Sequence, residues 1–367
     1  MQTGTTPLDP SVKQKFLVTI KDPDDKVNEG GAQRTIEQFT PKGLETAVEY
    51  YNQKYSNRGS IHSAIMEIDQ TTLADFNKAL KGSAKDENNM VIDSEIKKWM
   101  EGLSEQLSDG VFKNLLSLKD NIEAEGPKKI LLTLAGNKDG VVTIHHSIPF
   151  ILTNDKLILL RNEDDEFGQQ VYKTLAKKLG TKLVQNGLQP EYNLKKKKER
   201  GVMQADHTSC HFLALGILKD LTKENLTDLI ESTKGDVFYP TPTMMKYSQS
   251  STYIKTLLEE GQNQAVKTDG TTALQYVTKN KPREGDQTIT RITTKFDKFK
   301  LQLKQAIGEV GEDSSPEDIA AKILENQVAK KEESEKARVV SDAPGSPRAT
   351  TTSAPFLPPS SPEIGRS

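Results

Sequence analysis

The amino-acid sequence predicts an α+β fold, and three observations carry that prediction. Apolar residues recur at helical spacing from about residue 42 to 124. The period then changes to that of short strands over residues 128–165. Helical spacing returns beyond residue 166, around the single cysteine of the chain.

The first helical stretch rests on Leu44, Val48, Tyr51 and Tyr55, then on Leu73, Phe76 and Leu80. It continues with Ile96, Met100, Leu103, Leu107, Val111, Leu115 and Leu118. Such residues, with Trp99, line one face of a helix and are expected in a core. Residues 1–40 are polar, contain KDPDDKVNEGG and read as a disordered lead-in.

The segment KKILLTLAGNKDGVVTIHHSIPFILTNDKLILLRNEDD, residues 128–165, reads as three strands. Turns are expected at Gly136–Gly140 and at Asn154–Asp155, the latter suited to a tight hairpin. If Asn154–Asp155 is the hairpin centre, residues whose numbers sum to 309 face each other, and Ser147 lies opposite Asn162. His145 then shares the Ser147 face, while His146 shares the face of Ile148, Phe150 and Leu152. A slip of one residue would exchange the two histidines and select His146 with Glu163.

A helix follows at Phe167, Val171, Leu175 and Leu179, with Leu183 on the same face. A polar loop containing KKKKER (195–200) leads to Gln204 and Cys210. Further helices are expected beyond Cys210, at 223–234, 243–260 and 287–309. From about residue 312 the chain reads as one solvated helix and then a Pro/Ser/Thr-rich disordered tail.

Composition narrows the function. The formal charge is −2, which argues against broad nucleic-acid binding. No apolar run is long enough to span a bilayer, and the first residues lack the features of a cleaved signal peptide. One cysteine cannot form an internal disulfide, so a reducing compartment is expected. Nothing in the pattern of His, Cys, Asp and Glu suggests a metal site.

Cys210 is the candidate nucleophile. It falls where a polar loop meets an apolar helix, and a helix N-terminus favours the thiolate. Thr208 or Ser209 can cap that helix. Gln204, six positions upstream, can donate to an oxyanion. A small buried cysteine fits the same facts. A strand is a rigid mount for a general base, which brings in His145 or His146. Asn162 or Glu163 could orient either one.

A strand histidine, an acidic or amide residue after a hairpin, and Gln-x5-Cys at a helix start resemble the order in clan CE cysteine proteases. These include SUMO-type ubiquitin-like proteases and adenain. YPTPTMMKYSQSSTYIKTLL (239–258) resembles the Pro-x4-Lys-His-Thr-Gln segment of the YopJ family of bacterial effectors, matching at Pro242 or Pro240, Lys246, Ser248 and Gln249. Tyr247 stands where that family commonly has His. HHSIPFIL is similar to its His-Arg-Ser-Val-Ile strand, which favours His145. The similarity spans roughly residues 40–305.

The resemblance implies a mixed sheet flanked by helices, with a catalytic domain over residues 41–310. Its parts would be helical (41–125), sheet and triad (128–222), and helical and regulatory (223–310), with a tail from 311 to 367. It implies a protein acetyltransferase delivered by a bacterium into the host cell. Acetyl-CoA would acylate Cys210, and the acetyl group would pass to Ser, Thr or Lys of host signalling proteins. His145, with His146 as alternative, would be the base. Asn162 or Glu163 would orient it, Gln204 would hold the oxyanion, and Lys246 would be autoacetylated.

Inositol hexakisphosphate is the implied activator, with Lys128, Lys129, Arg283, Arg291, Lys295 and Lys298 as candidate ligands. Two departures bear on this. The third triad member is usually acidic in the family, and His211 replaces the usual Gly after the cysteine. The same triad would serve a ubiquitin-like-specific protease, a deubiquitinase or deSUMOylase. His211 and the missing acid also allow a degenerate, non-catalytic binding module.

Overall fold

A computed structural model describes residues 15–21, 35–86, 90–138, 141–160, 166–186, 210–221, 226–231, 237–238, 244, 269–272 and 291–341. Among these, a mixed sheet is flanked on both faces by helices. Strands β3 (Ile61–Asp69), β4 (Lys128–Lys138), β5 (Val141–Leu152), β6 (Lys156–Leu159) and β7 (Lys182–Asn186) lie side by side in chain order. The two-residue β8 (Val237–Phe238) extends the edge. β4, β5 and β6 form an antiparallel meander, whereas β3, β7 and β8 each run parallel to their neighbour. A separate antiparallel pair joins β1 (Leu17–Lys21) and β2 (Thr35–Phe39).

Two apolar cores follow from the pleat. In β4, Ile130 and Leu132 face one layer while Leu131 faces the other. In β5, Ile148, Phe150 and Leu152 face the first layer and Ile151 the second. A strand buried on both faces is apolar almost continuously, as ILLTL and IPFIL are.

The first layer holds α2 (Gln70–Gly82), α3 (Ser94–Asp120), the short α4 (Ile122–Glu125) and α5 (Glu166–Lys178). The second holds α1 (Pro41–Lys54), α6 (Cys210–Leu221), α7 (Leu226–Glu231), α8 (Arg291–Val310) and the first turns of α9 (Pro316–Ser341). α6 is buried along nearly its whole length, with Lys219 alone partly exposed. A helix apolar all round needs neighbours on every side. It finds them in β5, β4, α8 and α1.

The hairpin register agrees with the sequence reading. Phe150 pairs Leu159, Ile151 pairs Ile158 and Leu152 pairs Leu157. Elsewhere the structure corrects it. IHSAIMEID, inside the stretch read as helical, is β3, with Ala64, Met66 and Ile68 buried at alternate positions. Gly136 is not a turn residue but lies within β4, opposite Thr143. Leu183 does not continue α5, which ends at Lys178. It lies in β7, where pairing with Leu157 of β6 takes the place of the next helical turn.

The lead-in is ordered at residues 15–21 and 35–40, because Phe16 and Phe39 are buried in the second core. Thr40 caps α1 by accepting a hydrogen bond from the Gly43 N–H at 3.2 Å. Its own N–H donates to the Phe16 carbonyl at 3.1 Å. A Cβ on Gly43 would stand 2.0 Å from that carbonyl oxygen, so the contact requires glycine.

The boundary set at residue 310 also moves. Ile319, Ala320 and Ile323 are core residues, and the first compact unit runs to Leu324. The second unit begins at Glu325. Its helical residues 328–336 are exposed, with a Lys331–Glu335 ion pair at 3.8 Å. No described helix is long and apolar enough to cross a membrane.

Candidate active site

Cys210 is the first residue of α6 and is 2% exposed. Helix starts leave backbone N–H groups without intrahelical partners, a favourable place for negative charge. Burial alone pushes the thiol pKa up. Hydrogen bonds from His146 and His211, together with their charges, outweigh burial and hold the thiol well below its ordinary value. The His211 Nδ1 lies 3.9 Å from Sγ. A proton on Nδ1 is the tautomer that serves a thiolate there.

His211 is 1% exposed, and its ring is set by aromatic packing. Phe39 meets it edge-on with centroids 6.0 Å apart, and Phe212 lies 3.9 Å away, tilted by 55°. Phe296 stacks on Phe212 at 4.3 Å. The side chain that replaces the expected Gly therefore points into the second core and does not line the cavity beside the site. Its Nε2 has no hydrogen-bond partner among the described residues.

The two strand histidines owe their placement to a bulge. Leu134 pairs with His146, but the next pair is Ala135 with Ile144, so His145 is an extra residue on β5. A bulge of this kind breaks the alternation of side chains. Ile144 accordingly faces the second core, while His145 and His146 both line one cavity on the side of the first. Strict alternation, which would let only one of the pair approach the thiol, fails here. The ring of His145 lies over Gly136, where a Cβ would come within 2.2 Å of Nε2. Its outer edge is exposed. Surrounding protein nevertheless holds its pKa below the ordinary imidazole value by desolvation, with the Cys210 charge pulling it back up.

Three side chains brace the bulge, and of these only Ser147 stood out in the sequence. Gln38 of β2 is buried and donates from Nε2 to the Ile144 carbonyl at 3.2 Å. Thr133 and Ser147 share a buried hydroxyl–hydroxyl hydrogen bond of 3.1 Å across β4 and β5. Gln38 lies in the polar lead-in, where sequence patterning carries no sign of its partner.

The cavity has a volume of about 200 Å³. Its walls come from β3, β4, β5, α3 and α5. Leu107, Leu132, Phe167 and Tyr172 are among them, and the two histidines complete it.

Asn162, Glu163, Gln204, His207, Lys246, Ser248, Gln249 and Arg283 lie outside the described residues, as does the KKKK run. The described side chains likewise exclude Arg291 and Lys295. Of the basic residues considered for inositol phosphate, Lys298 is exposed on α8. Lys128 and Lys129 do not fit that role. Both are buried, Lys128 is paired with Glu125, and the Lys129 ammonium donates to the Gly59 carbonyl at 2.7 Å. Desolvation brings the Lys129 pKa down to about 8.

His62 lies apart from the thiol on β3. Burial lowers its pKa first, and Lys128 and Lys129 lower it further, with Glu125 opposing. Among the described residues, no group of three or more His, Cys, Asp and Glu side chains is arranged to hold a metal.

No protein-family model matches this chain, and no curated protein matches it in sequence.

Proposed function

We propose that this chain is a cysteine-dependent protein acyltransferase, with Cys210 as the acyl carrier and His146 as the base. The observation that carries the reading is the buried thiol at the start of α6, drawn well below its ordinary pKa by two histidines. Perturbed nucleophiles of this kind concentrate at functional sites.

The resemblance to clan CE proteases, and within them to the YopJ family, supports acyl transfer from acetyl-CoA to Ser, Thr or Lys of a host protein. The Cys210 thiolate attacks the thioester carbonyl and the coenzyme A sulfur leaves, taking a proton from His146. The acceptor then attacks the acyl-cysteine, gives its proton to His146 and releases the thiolate. Free N–H groups of the first α6 turn suit the developing oxyanion. Asn162 or Glu163 would orient the base and Gln204 would add an oxyanion donor.

His146 takes the role that the resemblance alone would give to His145, because it hydrogen-bonds the sulfur. His145 senses the thiol only through charge.

The test is incubation of the full chain with labelled acetyl-CoA, comparing wild type with Cys210→Ala. Label on the wild type alone supports acyl transfer. Absence of label together with cleavage of a ubiquitin-like fusion would move the same groups to a protease. Silence in both assays would leave a binding module.

A further inference from the structure

We propose that the cavity between β5 and α5 binds a small uncharged aromatic molecule, a single ring that carries one hydrogen-bonding group, as in a phenol. This goes beyond acyl transfer and does not depend on it. Cys210 does not line the cavity, and α6 packs in the core on the other face of the sheet.

The pairing of β4 with β5 gives the cavity two unlike ends. Leu132 stands opposite Ile148, Leu134 opposite His146, and His145 follows in the bulge. At the first end Leu107, Leu132, Ile148 and Phe167 are all buried and supply only hydrocarbon. The other end carries both imidazoles, and because His145 is exposed it borders water. Water is a poor occupant of the apolar end, since a buried water needs several polar partners. A ligand with an apolar body and one polar group matches both ends.

Size and lining narrow the class. A cavity of about 150 Å³ lined by Leu, Ile and Phe stays dry and binds benzene, so about 200 Å³ has room for one ring and one substituent. The rings of Phe167 and Tyr172 are among the walls, and ring–ring contacts gain beyond the area they bury. Gly168, next to Phe167, adds no side chain to the wall. Among the described residues the lining holds no carboxylate and no ammonium group, and burying an unpaired charge is costly. Burial also holds the His145 pKa below the ordinary imidazole value, so that ring is neutral at neutral pH. A neutral imidazole has one N–H donor and one acceptor nitrogen, and a hydroxyl can meet either.

Methyl and imidazole NMR of the full chain, titrated with phenol, tests this. Phenol should shift the His145 and His146 ring signals saturably. Its ring protons should show nuclear Overhauser contacts to the methyls of Leu107, Leu132 and Val171. Benzoate, which brings a charge, should bind at least about tenfold more weakly. Val171→Phe, which puts a ring of the protein into the cavity, should weaken phenol binding by at least about tenfold. The Overhauser contacts are read on the wild type, so the test does not rest on the folding of that variant. No saturable shift, contacts only to residues outside the lining, or unchanged binding by folded Val171→Phe would overturn the site. Benzoate binding as tight as that of phenol would overturn the uncharged class. None of these results bears on acyl transfer, which is read from label on Cys210.

Discussion

The two halves of β5 obey different rules. From Ser147 to Leu152 the strand alternates: even positions enter the first core and Ile151 the second, and the hairpin partners fall in register. From Val141 to His146 the alternation fails at one extra residue, and two adjacent histidines face the same cavity. The regular half holds the molecule together. In the proposed reading the irregular half carries the chemistry, because a bulge can aim two neighbouring side chains at one place and a regular strand cannot.

The sharpest way to break this contrast is to truncate one histidine at a time. His146→Ala should lower the rate of acyl-Cys210 formation by about 10²–10⁴-fold, the usual worth of a positioned acid–base group. His145→Ala should lower it far less, as read by single-turnover mass kinetics. Equal losses would erase the distinction drawn between the two.

In the regular half the effect should fall on stability. Phe150 is fully enclosed and packs edge-on against Tyr172 with centroids 5.2 Å apart. Phe150→Ala should cost about 3–5 kcal/mol in denaturant unfolding.

Gln38→Ala would remove the donor to the Ile144 carbonyl and should cost about 1–3 kcal/mol. It should also slow acylation, since that bond holds the residue before the bulge.

Gly136→Ala is the mildest change. The new Cβ would push the His145 ring away from β4 and into water. The desolvation that lowers its pKa would then weaken, and an NMR titration should show that imidazole rising toward its ordinary value.

The legible parts of the fold were those governed by period. The core positions of α3 and α5 and the hairpin register all follow from spacing, and the structure places them accordingly. β3, nine residues long, was lost because it lies between strongly periodic helices, so its alternation was absorbed into theirs. β1 and β2 were lost because their stability is tertiary. Polar strands around Phe16 and Phe39 become ordered only when those two rings reach the second core. At the site, the place of Cys210 at a helix start was visible, since a loop-to-apolar change marks it. The choice between the histidines was not. A bulge is a property of two paired strands, and Gly136, which makes room for it, looks like a turn residue in isolation. The setting of His211 was not legible for the same reason, because it packs on Phe39 of β2 and on Phe212, itself stacked on Phe296 of α8.

In the proposed reading His146 and His211 favour the Cys210 thiolate despite its burial. Because Cys210 is the only cysteine, the ultraviolet absorbance of its thiolate can be titrated cleanly against Cys210→Ala. The depressed pKa should also add stability at high pH, fully present above the unfolded thiol pKa of about 8.5. That contribution should fade as pH falls through the folded value. The wild-type thiolate should persist well below pH 8.5, and the His146→Ala thiol should titrate higher, where burial dominates. A wild-type thiol that titrates at or above the ordinary cysteine range would contradict it.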